Sequence, residues 1–182
     1  CALPISIPLQ DVTVEAISAR AVSISNVLVD INQITDFALG NCTKALVATV
    51  ESAPSLCCGS ETLGVITTAL SSVLARGKSI PSTLLGDVLE TTLTLTRGCQ
   101  GLAAPGETPV AVDTANMKIL SSLVSTSDIS GAKYSPPLSG LEAASGQSNP
   151  SVALDTYSGS EDDALGVTVV MLKNNPRASQ TN

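Results

Sequence analysis

The chain has 182 residues, 43% of them apolar, which is enough for a sizeable core, and a formal net charge of −7. Phe37, Tyr134 and Tyr157 are its three aromatic residues, so the flat faces on which sugars and single-stranded nucleic acids stack are nearly missing. The nine Lys and Arg are scattered singly from Arg20 to Arg177, and without a basic stripe nucleic acid is excluded as a partner.

From Val12 to Leu39 there is no Gly or Pro, and apolar residues recur at Val14, Ile17, Ala21, Ile24, Leu28, Ile31 and Ala38. That spacing predicts a helix with Asp11 as N-cap and Gly40 as terminator, although β-branched residues leave Val12 to Val22 open to an extended conformation. A shorter helix follows over Thr43 to Ser52, stopped by Pro54. A third is expected from a Ser60 cap, with Leu63, Ile66, Leu70, Val73 and Leu74 on its apolar face and Gly77 closing it. Pro81 opens a fourth, with Leu84, Leu85, Val88, Leu89 and Leu93 inward and an end at Gly98.

After Cys99 the texture changes. Gly101, Pro105, Gly106 and Pro109 form a linker, and short β-rich runs follow at Val110 to Val112, Met117 to Leu120, Val152 to Leu154 and Val167 to Leu172. Ser135 to Pro150, rich in Ser, Gly and Pro, is expected to be a long loop. The expected organisation is α+β: a helical subdomain of about four helices over residues 1–100, then an antiparallel β-sandwich-like subdomain, incomplete, over 101–182. The apolar run Leu165 to Leu172 has strand length, and no stretch approaches the roughly 20 apolar residues of a membrane span.

Cys1, Cys42, Cys57, Cys58 and Cys99 all lie in the first hundred residues, with no C-x-x-C pair and no His anywhere in the chain. Such a set fits disulfides of an oxidising compartment better than zinc. If the third and fourth helices pack antiparallel, Cys99 returns beside Cys57 and Cys58. A Cys99 bond to one of them, with Cys58 preferred and Cys57 as the alternative, is the expected staple. The odd count leaves a thiol for a disulfide-linked assembly, most simply through Cys1, with Cys42 as a further disulfide candidate. Because the chain starts at Cys1 without Met, a processed or partial product is expected. Asn41-Cys42-Thr43 matches the N-glycosylation acceptor pattern, which favours a surface loop of a secreted protein.

Without His, triads of the common kind have no base. Ser130-Gly131-Ala132-Lys133 carries a bare S-x-x-K, but the companion motifs of penicillin-binding enzymes are absent, and no phosphate-cradling glycine loop occurs. Asp155, Glu161, Asp162 and Asp163 offer hard oxygen ligands for calcium but lack EF-hand spacing, and a solvated turn is the plainer expectation. No enzyme activity, cofactor or resident metal is expected.

The helical run Leu63 to Leu74 with its similar successor resembles the helical part before the proteolysis site of polycystin-type and egg-jelly-receptor-type surface proteins. So do Thr114 to Ile119 with Asp128 to Ala132 and Pro136-Pro137, followed by Val167 to Leu172 with Asn175-Pro176. This resemblance, over about residues 23 to 176, implies a GAIN-like fold in an extracellular or cell-surface module for adhesion, sensing or force transmission. Its partners would be other protein chains or segments of the same ectodomain. The cleavage motif of that family is not present here, so autoproteolysis does not carry over. The rival expectation is a structural subunit of an extracellular assembly such as a cell wall, sheath or ciliary surface filament.

Overall fold

A computed structural model describes residues 11–154 and 164–173. They form a mixed α+β fold with four long helices followed by a small antiparallel sheet.

The first helix, α1 (Val14–Val27), starts at Thr13, not Asp11: the Thr13 hydroxyl accepts from the Ala16 amide at 3.2 Å. It buries Ile17, Ala21 and Ile24, while Val14 of the expected stripe is 47% exposed. The continuous helix expected through Leu39 breaks after Leu28, and a short 3-10 turn (Ile31–Gln33) leads to an extended Ile34. Local side chains compete there with the helical ladder. Gln33 bonds the Asp30 carboxylate at 2.6 Å, and the Thr35 hydroxyl caps a new helix by accepting from Ala38 N–H. Arg76 donates to the Ile34 carbonyl, an acceptor that a continuous helix would have used internally.

The new helix, α2 (Asp36–Ser52), passes straight through Gly40. Gly40 is therefore not a terminator, and its φ is not positive. Leu39, Cys42, Leu46 and Val50 form its buried stripe. A 3-10 turn (Pro54–Cys58) leads to α3 (Ser60–Leu74), whose N-cap is Gly59 without a side-chain bond, so Ser60 is the first helical residue and not the cap. The expected apolar face of α3 is buried, and Gly77, at φ +55°, takes the left-handed turn that follows.

The fourth helix, α4 (Ser82–Gln100), begins after Pro81 and continues two residues beyond Gly98. Leu84, Leu85 and Val88 of its expected stripe are buried, and the later part of the stripe differs. Leu93 is 38% exposed, whereas Val88, Thr92, Leu95 and Cys99 point inward. Strict fours drift by about 40° per step on a 3.6-residue helix, while alternating threes and fours hold one face. Thr92 is tolerated there because its hydroxyl bonds the Val88 carbonyl at 2.8 Å.

The strands β1 (Val110–Asp113), β2 (Met117–Ser125) and β5 (Ala164–Leu172) form a sheet in the order β1-β2-β5, antiparallel throughout. A separate two-stranded ladder joins β3 (Lys133–Tyr134) to β4 (Val152–Ala153). Where a long loop was expected, a one-turn helix, α5 (Gly140–Ala144), forms behind a capping box of Ser139 and Glu142. Met117 and Ile119 belong to the same buried cluster as the helices, with Val110, Val112, Val170 and Leu172 packed against it. The helical and β-rich parts thus share one core.

Two glycines separate helix propensity from packing. Nothing lies within 4 Å of a Cβ built at Gly40, while one built at Gly98 would sit 2.6 Å from the Pro54 Cβ and 2.7 Å from its carbonyl carbon. Gly40→Ala is expected to raise stability by about 0.5–1 kcal/mol. Gly98→Ala is expected to lower it, because overpacking of about 1–3 kcal/mol outweighs the propensity gain. Denaturant midpoints of the two variants should therefore move in opposite directions.

Candidate functional site

The residue types that stand out in this chain for bonding chemistry converge on the last turn of α4. Cys99 is bonded to Cys58, with the two Cα atoms 5.4 Å apart. Gly98, one residue earlier, admits the backbone of Pro54, so the 3-10 turn lies directly against the helix that it is bonded to. Gln100, one residue later, reaches into the sheet. Its amide nitrogen lies 3.0 Å from the Ser121 hydroxyl, 3.3 Å from the Ser122 carbonyl, 3.2 Å from the Val167 carbonyl and 3.0 Å from the Thr168 hydroxyl. A Cβ at Gly166 would collide with the same amide, 2.8 Å from its Cδ. The Thr168 hydroxyl also donates to Thr96 at 3.3 Å. Three consecutive residues of one helix thus hold a turn on one side and two strands on the other.

The other cysteines of the expected framework fare differently. Cys57, the alternative partner, is a buried free thiol at 0% exposure whose Sγ contacts the Ala53 carbonyl at 3.4 Å. Burial pushes it up to about 11. Cys42 is also a buried free thiol, raised by the same cause, and is not in a disulfide. Cys1 lies outside the described residues. Asn41 is exposed in the interior of α2, not on the expected loop, and Thr43 of its acceptor pattern is fully buried, bonded to the Leu39 carbonyl. The calcium candidates Asp155, Glu161, Asp162 and Asp163 lie outside the described residues. Among those described, no cluster of three or more His, Cys, Asp or Glu is placed to hold a metal.

A second constellation lies on the other face of the sheet, at residues that composition marks only as strand and loop. Lys118 projects from β2 on the face opposite Met117 and Ile119, yet it is fully buried. Its ammonium donates to the Pro137 carbonyl at 2.9 Å and to the Glu142 carboxylate. The same carboxylate oxygen accepts from the Ser139 hydroxyl at 2.7 Å and the Ser139 amide at 2.8 Å. Glu142 is drawn from 4.5 to about 2, first by the Lys118 hydrogen bond and then by those from Ser139. The signal for it was Ser139-x-x-Glu142, a capping-box pattern inside a segment otherwise rich in loop residues.

A groove of about 280 Å³ opens between the end of α1, α3 and the β1–β2 turn, lined among others by Leu28, Ile31, Ser71, Asp113 and Asn116. Several of its polar groups are engaged within the fold: Asn116 bonds Ser71, and Asp113 pairs with Lys173 at 2.7 Å. No family model, curated protein or solved structure matches the chain.

Because Glu142 has a lowered pKa, its contribution to stability is complete above about 4.5 and is lost as pH falls toward about 2. Glu142→Gln should flatten that part of the stability profile, so the urea midpoint of the native chain should fall more steeply from pH 5 to pH 2 than that of the variant. Lys118→Met should be better tolerated at pH 7 than Glu142→Gln, since the latter leaves a buried cation without its counter-charge.

Proposed function

We propose that this chain is a non-catalytic module of a large extracellular or cell-surface protein, built to hold its shape while passing load or contact between neighbouring segments. The observation that carries this reading is the triple hold on the end of α4, where Gly98, Cys99 and Gln100 join a covalent bond, a close backbone contact and a two-strand amide pin. A disulfide is retained in oxidising compartments and rarely in the cytosol, which supports the extracellular address. The order of parts, four helices and then antiparallel strands, supports the finer assignment to a GAIN-like arrangement.

The rival reading, a cross-linked subunit of a wall, sheath or filament, draws support from the cysteine count. With Cys58 and Cys99 bonded and Cys42 and Cys57 buried as thiols, Cys1 remains to join another chain. Migration as a monomer on both reducing and non-reducing gels would exclude it.

Two measurements test the main reading. Antibody labelling of intact, non-permeabilised source cells should detect the protein; signal only after permeabilisation would reject a surface location. In purified protein, Cys58→Ser with Cys99→Ser opens a loop of 41 residues, an expected loss of about 4 kcal/mol on the chain-entropy estimate. Under pulling from both ends, that variant should lengthen by an extra increment before the sheet yields. An unchanged unfolding trace would remove the staple from the load path.

A further inference from the structure

We propose that Cys57 is a reserve partner for Cys99, so that local opening of the Pro54–Cys58 turn shifts the staple from the 58–99 register to a 57–99 register without loss of the covalent tie. Cys57 is adjacent to Cys58 in the chain, so its thiol stays tethered beside the disulfide whatever the turn does. Moving the bond by one residue leaves the closed loop almost the same length, so chain entropy does not distinguish the two registers. Packing does.

Successive side chains in a 3-10 turn stand about 120° apart. Cys57 is therefore turned into the core at 0% exposure, against the Ala53 carbonyl, while Cys58 reaches α4. Burial also keeps the Cys57 sulfur protonated and hence unreactive. Both obstacles vanish when the turn pivots out of the core about the intact Cys58–Cys99 bond.

Cys57 then loses its proton to solvent, and the thiolate attacks the Cys99 sulfur. The Cys57–Cys99 bond forms, the Cys58–Cys99 bond breaks, and Cys58 leaves as a thiolate that takes up a proton. One disulfide is exchanged for another, so no oxidant or reductant is consumed. The exchanged register rotates the turn, withdraws Cys57 from the core, and displaces the Pro54 backbone from its seat on Gly98. The result is a second, looser state of the same joint, still covalently closed.

The full chain would be incubated at pH 8.5 in rising urea below its global transition, quenched in acid, and alkylated. Fragmentation between residues 57 and 58 in mass spectra locates the free thiol. In native buffer the 58–99 register should be the one observed. In pre-transition urea the rate of appearance of Cys57–Cys99 should rise about tenfold or more, as local opening requires, and this isomer should precede any bond to Cys42 or Cys1. Comparable amounts of both registers in the native protein would overturn the proposal. So would a first product with Cys42 or Cys1, or no exchange before global unfolding. Independently, Cys58→Ser refolded under oxidising conditions should form Cys57–Cys99 and melt between the native chain and the Cys57→Ser, Cys58→Ser double variant. Free thiols at both 57 and 99 in that protein would equally sink the idea.

Discussion

The end of α4 is where the chain's two textures meet, and a carboxamide there carries a requirement out of proportion to its size. Gln100 sits at the junction of a helix that buries Leu95 and Cys99 with a sheet whose inner face carries Ser121 and Thr168. Buried polar groups of that kind cost stability unless each finds a partner. The two hydrogens of this single NH2 group lie within reach of acceptors on both β2 and β5, adding a side-chain tie to strands whose register the backbone ladder sets. The position of the sheet on the helices rests on this contact together with Met117 and Ile119, which share the helical core.

The disulfide acts one residue away and in the opposite direction. It ties α4 to the turn between α2 and α3, and Gly98 lets the two backbones come close enough for the bond. Because the covalent hold and the amide pin occupy neighbouring positions, motion of the turn and motion of the sheet are both referred to the same helical turn. That coupling makes the last turn of α4 the common anchor of the turn and the sheet. It also explains why small residues and amides, more than charged catalytic groups, mark this region.

The Lys118–Glu142 pair does comparable work on the far face of the sheet. A buried ion pair is weak evidence for stability, since desolvation offsets much of the attraction. Its effect is positional. It fastens α5 to β2, with the Asn149 amide bonding the Pro136 carbonyl at 2.7 Å nearby, so a stretch whose composition reads as loop is held over the strand.

Helix existence, the buried faces of α1 and α3, the strand at Met117 and the α+β class were legible in residue order, because periodicity and Pro/Gly punctuation act locally. The break between α1 and α2 was only partly so: beside the local Asp30–Gln33 bond and Thr35 cap, Arg76, distant in sequence, takes the Ile34 carbonyl. The inward turn of Thr92 and Leu95 in place of Leu93 was not, since a helix shows its core face only once neighbours surround it. By itself the sequence determined that Cys99 would meet the 57–58 pair. Which of the two it joins was decided by tertiary packing, for adjacent residues close loops of nearly equal entropy and only the core distinguishes the side chain turned inward from the one turned toward α4.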